Sequence, residues 1–187
     1  MSEQAKARRF EQMALAHLDA AHNLARWLTR NDHDAEDVVQ EAYLRAFKYF
    51  DGYQGGNGKA WILAIVRRTC FTWLGRNRPK EVLTVEADVL EAAAERAAAN
   101  AASGPEGPEA EIIRRADKRA IDAAIAALPA PYREVLVLRE LEDMAYKEIA
   151  TVTGIPIGTV MSRLARARAL LREALGGALD RKPAHGM

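Results

Sequence analysis

The sequence predicts an all-α protein made of two small helical domains joined by a flexible acidic linker. Apolar residues recur at intervals of three and four in both halves of the 187-residue chain, which is the period of an amphipathic helix. No stretch alternates apolar and polar residues as a half-buried strand would. Between the halves, an alanine-rich run at residues 92–103 is followed by two Gly-Pro pairs at residues 104–108, which break any helix there. Neither segment has the large apolar residues that a core needs.

The first domain, residues 1–78, is expected to contain three helices. The first carries one apolar face across residues 10–30. Asparagine and aspartates at residues 31–34 offer N-cap side chains for the second helix. A glycine-rich turn at residues 52–58 then separates the second helix from the third. Trp61 and Trp73 lie on the apolar stripe of that third helix, so we expect both in the core.

The second domain, residues 113–187, is expected to contain four shorter helices and a short C-terminal tail. Pro129 ends the first of them. The last two are a short helix at residues 146–153 and a longer basic helix at 156–175, with a tight turn at Gly154 between them. This arrangement is typical of a helix-turn-helix, which binds DNA, although a plain helical hairpin remains an alternative.

Charge is strongly segregated along the chain, although the formal net charge is only +1. Residues 31–51 carry six acids and two bases, and residues 52–80 carry six bases and no acid. Residues 81–112 carry eight acids and one base, whereas residues 156–182 carry six bases and two acids. Two basic segments on either side of an acidic one fit two contacts with a polyanion, although solvated helix faces could also cluster this way. We interpret residues 79–112 as the linker.

Several functional classes are excluded by composition. A single cysteine, Cys70, rules out a disulfide framework and a Cys-rich zinc site. No stretch reaches the ~18 consecutive apolar residues of a membrane span. The glycines at 55–58 lack the residues of a phosphate-binding loop. The four histidines are scattered: His17, His22, His33 and His185. We therefore expect a cytoplasmic protein with no membrane insertion, no enzyme activity, no metal and no cofactor.

Four motifs together resemble one protein family. The run DAEDVVQEAYLRAF occupies residues 34–47, and LPAPYREVLVLR occupies residues 128–139. They are followed by YKEIA at 146–150 and GTVMSRLARAR at 158–168. In this order they resemble the extracytoplasmic-function (ECF) sigma factors, the small two-domain initiation subunits of bacterial RNA polymerase. The resemblance covers residues 10–175. It implies an alternative sigma factor that binds core RNA polymerase and directs promoter-specific initiation, in a stress or envelope response.

The resemblance also implies three binding surfaces. The acidic helix of the first domain would dock on the clamp helices of the largest polymerase subunit, through the polar residues Asp37, Gln40, Glu41 and Arg45. The third helix and the loop before it would capture unpaired bases of the minus-ten promoter element, through Tyr49, Tyr53, Gln54, Asn57, Lys59, Arg67, Arg68 and Arg76. The last helix would enter the major groove at the minus-thirty-five element, with contacts from Tyr146, Lys147, Thr159, Ser162, Arg163, Arg166 and Arg168.

Three residues depart from the family pattern. Arg68 replaces a frequent asparagine, Met161 replaces a common basic residue, and Ala165 replaces a bulkier one. Arg68 bears on which minus-ten bases are preferred. Because of Met161 and Ala165, we expect minus-thirty-five recognition to depend more on DNA shape and phosphate contacts than on direct readout of bases. The resemblance further implies an anti-sigma factor as a partner that hides both DNA-binding surfaces. The alternative function is a helix-turn-helix regulator that acts without polymerase, but such a protein has no use for the 34–47 motif.

Overall fold

The computed structural model describes residues 3–80 and 109–179, so most of the expected linker and the C-terminal tail with His185 lie outside the described residues. Residues 3–80 form four α-helices and a short 3-10 turn before the last of them. These are α1 (Glu3–Leu15), α2 (Leu18–Thr29), α3 (Asp32–Tyr49), the 3-10 turn (Phe50–Gly52) and α4 (Gly58–Asn77).

Residues 109–179 form four α-helices and one π-helical turn. These are α5 (Glu109–Ala127), α6 (Ala130–Leu136), the π turn (Val137–Leu141), α7 (Tyr146–Thr153) and α8 (Ile157–Leu179). None of the described residues in either half forms a strand, which confirms the predicted all-α class. Gly154, with φ at 71°, makes the turn between α7 and α8 as the helix-turn-helix pattern predicts.

The structure divides the expected first helix in two. The break falls at His17, whose φ of −118° and ψ of 10° lie outside the helical range. Tertiary contacts hold α1 against α3 and the 3-10 turn, because the Phe10 ring lies 5.3 Å from the rings of both Phe47 and Phe50. The Tyr43 hydroxyl donates a hydrogen bond of 3.0 Å to the Ala14 carbonyl, one of the last carbonyls of α1. The break therefore depends on packing against α3, and no glycine or proline marks it in the sequence.

Side-chain caps set the starts of α3 and α4. Asn31 accepts a hydrogen bond of 3.0 Å from the Asp34 amide, as the capping prediction required. Asn57 accepts one of the same length from the Ala60 amide. Before Asn57, the chain turns through Gly55 and Gly56, whose φ angles of 91° and 94° are strained for any other residue type. This turn brings α4 back across α2 and α3.

The two halves pack against each other. Helix α4 contacts α7, and α2 contacts both α6 and the π turn. Their buried apolar residues form one cluster, which includes Leu24 and Val66 in the first half and Leu138 and Ile149 in the second. Helix α4 is consequently covered on more than one side. Trp61 and Trp73 are only half-buried, and both pack against this cluster.

Truncation in this core should cost far more stability than truncation on the surface. Leu24 is fully buried, whereas Leu44 is 67% exposed. We expect Leu24→Ala to lower the free energy of unfolding by about 2–5 kcal/mol, because it removes transfer free energy and leaves a cavity. Leu44→Ala should change it by no more than about 0.5 kcal/mol. Urea denaturation of the full chain measures both values, and equal losses would contradict this placement of the core.

Candidate nucleic-acid interface

Helix α3 presents a polar face to solvent. Its buried side carries Ala35, Val38, Val39, Ala42 and Ala46. On the other side Asp37, Gln40 and Glu41 are exposed, and Arg45 is half-buried and forms an ion pair with Glu41.

An exposed leucine completes this surface. Leu44 lies three and four residues beyond Glu41 and Gln40, and 67% of it is exposed. The residues predicted for this surface were all polar and did not include Leu44. Leu44 lies off the apolar stripe of α3, and this position is the sequence signal that could have predicted its exposure. We call Asp37, Gln40, Glu41, Leu44 and Arg45 the α3 face.

The eight residues expected at the minus-ten element fall into three groups. Tyr49, Gln54, Arg68 and Arg76 are exposed on α3, the following loop and α4. Tyr53 is stacked on Phe50 with ring centroids 5.7 Å apart, and its hydroxyl donates to the Gly56 carbonyl at 3.0 Å. The third group, Asn57, Lys59 and Arg67, contacts the second half of the chain.

Arg67 forms the most buried of these contacts. Its Nε and Nη2 donate to the two carboxylate oxygens of Glu134 on α6, at 2.6 and 3.1 Å. Arg163 of α8 lies on the same carboxylate, with 3.7 Å between Nη1 and Oε1. The Glu134 side chain is fully buried. Burial raises the pKa of the Glu134 carboxyl, and the hydrogen bonds and charge of Arg67 and the charge of Arg163 oppose that rise.

Two further carboxylates join the halves. Glu142, just after the π turn, accepts a hydrogen bond of 2.6 Å from the Asn23 amide, and its other oxygen lies 3.2 Å from Lys59 Nζ. Glu148 of α7 accepts from the Asn57 side-chain amide at 2.5 Å. We call this set of contacts the interdomain seam, with Asn23, Asn57, Lys59 and Arg67 on one side and Glu134, Glu142 and Glu148 on the other.

Helix α8 exposes part of the surface expected at the minus-thirty-five element. Lys147 on α7 and Ser162 and Arg166 on α8 are exposed. Met161, one of the departures from the family pattern, is also exposed, and so is Ile157 at the start of α8. Ile157 was not among the residues predicted for this surface.

The other expected minus-thirty-five residues make contacts within the protein. Arg168 donates to Glu140 at 2.6 and 3.1 Å. Tyr146 lies under the Arg139 guanidinium, 5.2 Å from ring centroid to Cζ. Thr159 is half-buried, and its carbonyl accepts from the Ser162 hydroxyl. Arg163 is half-buried and lies against Glu134.

Cys70 is buried on α4 close to the seam. Burial, followed by the charge of Glu134, raises the pKa of its thiol to about 12. The thiol is therefore unreactive while α4 stays covered. Among residues 3–80 and 109–179, no group of three or more His, Cys, Asp or Glu side chains is arranged to hold a metal ion. In the same ranges, no helix is long and apolar enough to cross a membrane.

The two halves match two regions of one class of transcription protein. The model for Sigma-70 region 2 matches residues 13–79, and that for Sigma-70, region 4 matches residues 118–171. The fold and these matches define a two-region protein of the sigma-70 class.

Curated relatives narrow the class to one family. The chain is 33% identical to the RNA polymerase sigma-H factor of Pseudomonas aeruginosa, over 82% of this chain and 81% of that protein. It is 32% identical to the ECF RNA polymerase sigma-E factor of Escherichia coli, over 72% and 70%. It is also 32% identical to the ECF RNA polymerase sigma factor SigE of Mycolicibacterium smegmatis, over 92% of this chain but only 64% of that longer protein. The chain belongs to the ECF sigma factor family, which confirms the resemblance.

Two solved structures have the same fold. The sigma factor RpoE of Bartonella quintana, in complex with the anti-sigma factor NepR, aligns with a TM-score of 0.64 and 27% identity, over 90% of this chain and 98% of that one. CnrH, in complex with the cytosolic domain of CnrY, aligns with a TM-score of 0.61 and 26% identity, over 93% and 94%.

Proposed function

We propose that this chain is an alternative sigma factor that binds core RNA polymerase and directs initiation at specific promoters. The observation that carries this proposal is the pairing of a region 2 half and a region 4 half in one chain, with an exposed polar helix face in the first and an exposed basic helix in the second. Catalysis of RNA synthesis then belongs to the polymerase, and the factor acts in the cytoplasm beside it.

The α3 face supports the polymerase contact. Asp37 and Glu41 supply negative charge, Gln40 supplies hydrogen bonds, and the exposed Leu44 supplies an apolar contact at the centre. Such a face fits a basic helical partner, and the family resemblance identifies that partner as the clamp helices of the largest subunit. An exposed leucine surrounded by polar groups is typical of the centre of a protein interface.

Cations on α4 and an aromatic side chain at the end of α3 support minus-ten recognition. Arg68 and Arg76 can follow a strand backbone, and the exposed Tyr49 ring can stack on an unpaired base. On α8, Arg166 and Ser162 are placed to contact bases or phosphates in a major groove, with Lys147 of α7 beside the DNA backbone.

An anti-sigma factor is the proposed regulatory partner. The Bartonella quintana structure contains a sigma factor bound to an anti-sigma factor, and this chain shares its fold over nearly the full length. The alternative, a helix-turn-helix regulator that acts without polymerase, leaves the α3 face without a role.

Replacing two residues of the α3 face should weaken polymerase binding. We expect Asp37→Ala/Gln40→Ala to reduce affinity for core polymerase about tenfold or more, because both side chains lie at the docking surface. The matched control is Glu11→Ala/Gln12→Ala, which removes an exposed acid and an exposed amide from α1. Fluorescence titration of labelled factor with core enzyme measures both. Equal affinity of the two variants would contradict the assignment of the α3 face.

Replacing Arg166 should weaken promoter binding. We expect Arg166→Ala to cost about 1–3 kcal/mol, confined to one position of the minus-thirty-five element, if the guanidinium reads a base. If it binds a phosphate, the loss should be uniform across sequences, and the salt dependence should fall by about one unit of slope. Arg172→Ala, which removes another exposed arginine from α8, is the control. A salt titration in which Arg166→Ala equals wild type would eliminate this contact.

A further inference from the structure

The outward side of α8 carries a stripe of side chains that is almost free of charge. Exposed residues recur at intervals of three and four along its first three turns, so they lie on one side of the helix. They are Ile157, Gly158, Met161, Ser162, Ala165 and Arg166. Arg166 is the only ionisable residue of the six. We call these six residues the α8 stripe.

The neighbouring arginines of α8 are engaged by carboxylates of the protein itself. Arg163 is half-buried, and its Nη1 lies 3.7 Å from Oε1 of the buried Glu134. Arg168 donates to Glu140 at 2.6 and 3.1 Å. The α8 stripe therefore offers a partner mostly apolar and small side chains, with one guanidinium at its far end.

Ile157 and Met161 form an exposed apolar pair at the start of α8. They are 44% and 52% exposed, and a spacing of four residues makes them neighbours on the helix surface. The opposite side of α8 packs inward through Val160, Leu164 and Ala167, which are buried. The pair is therefore not part of the core. Apolar surface left in water is unfavourable, so the pair gains free energy from a partner that covers it.

Small residues on the α8 stripe leave room for a close approach. Gly158 has no side chain, and the space where a Cβ would lie is open. Ala165 has only its Cβ. The long Met161 side chain lies between them in sequence and is half exposed. A surface that approaches α8 here meets Met161 before it meets the helix backbone.

Two exposed cations accompany the apolar pair. Lys147 lies at the start of α7, the helix packed against α8, and Arg166 lies five residues beyond Met161. Lysine and arginine hold the phosphates of a duplex and so fix the orientation of a protein on it. Apolar residues accompanied by cations fit the groove of a nucleic acid better than they fit an apolar protein surface.

Thymine is the base that offers an apolar group in the major groove. Its C5-methyl group lies at the edge that an α-helix can reach, whereas adenine, guanine and cytosine are read there through hydrogen-bond donors and acceptors. In a helix-turn-helix, the N-terminal residues of the second helix contact the base edges. Ile157 and Met161 are the first and fifth residues of α8. They have no group that forms a strong hydrogen bond to a base, but both can contact a methyl group.

We propose that Ile157 and Met161 are specificity-determining residues that read thymine methyl groups in the minus-thirty-five element. This inference rests on the proposed function, and it assigns to the element a thymine at the positions that the pair covers. Met161 stands where a basic residue is common in the family. The replacement exchanges a polar contact for an apolar one, so base readout at this position changes its chemistry and is not lost.

The test removes one methyl group from the DNA and one side chain from the protein. The element is first identified by selecting random duplexes with the full chain bound to core polymerase. Each thymine of the selected element is then replaced by deoxyuridine, which lacks only the C5-methyl group. We expect the affinity of the wild-type holoenzyme to fall about three- to fivefold at one or two positions, as the loss of one buried methyl group implies.

The protein variants show whether the apolar pair makes this contact. In Met161→Ala and Ile157→Ala, thymine and deoxyuridine duplexes should bind equally at the position that each residue reads, which is the coupling that a double-mutant cycle measures. The matched control is Ile121→Ala, which shortens another exposed isoleucine in the same half of the chain, on α5. It should keep the full three- to fivefold methyl dependence.

Several results would overturn the proposal. One is a selected element without thymine, and another is full affinity for deoxyuridine at every position. A third is a methyl dependence that persists unchanged in both alanine variants, since another group then reads the methyl. Transcription from the selected promoter judges the proposed function separately. A wild-type holoenzyme that transcribes without any methyl dependence contradicts this inference alone, whereas one that selects no element contradicts the proposed function as well.

Discussion

The carboxylate of Glu134 lies fully buried between two guanidinium groups that come from different halves of the chain, Arg67 on α4 and Arg163 on α8. A buried carboxylate is tolerated only when it is paired, and removal of one partner from such a pair costs about 3–5 kcal/mol. This requirement joins α6 to α4 through Arg67, and α8 to α6 through Arg163. In the same arrangement α7 contacts α4, Glu142 lies against Lys59, and Cys70 is buried near Glu134. The Arg67–Glu134 ion pair therefore joins the two halves and also engages Arg67, one of the residues expected at the minus-ten element.

The seam also reduces the positive charge that this chain, with a net charge of +1, offers to a polyanion. Lys59 and Arg67, which carry part of its positive charge, are paired with its own glutamates. The exposed charge that remains is divided between the acidic α3 face and the basic outer side of α8. A factor of this kind has little electrostatic attraction for DNA on its own, and the proposed route to promoters passes through the polymerase.

Local signals in the sequence predicted much of the fold. The helical period, the Asn31 cap and the Gly154 turn all act within a few residues, and the structure contains each of them. Long-range contacts could not be predicted in the same way. The break at His17 depends on Phe10 and Tyr43 packing between α1 and α3, which periodicity does not encode.

The candidate site likewise combines surfaces that local motifs predicted with long-range contacts that they did not. The motifs supplied the α3 face and the α8 surface, and an exposed Leu44 could have been found from its position off the apolar stripe. The pairing of Arg67 with Glu134 could not be predicted, because these residues lie 67 positions apart in the sequence. Either residue alone is typical of an ordinary charged position on a protein surface. Only the packing of α6 on α2, and of α7 on α4, brings their side chains together.

The central claim, that the Arg67–Glu134 pair holds the two halves together, is tested most directly by the distance between the halves with and without this pair. Fluorophores attached through Glu11→Cys on α1 and Arg172→Cys on α8 report this distance, since both positions are exposed. Cys70→Ala in every protein leaves these two as the only thiols. Energy transfer is measured in the full chain with Arg67 and in its Arg67→Met variant. The distance should be short with Arg67 and clearly longer in the variant, because the variant leaves the buried Glu134 carboxylate without its partner from the first half. An unchanged distance in a folded Arg67→Met variant would contradict the claim.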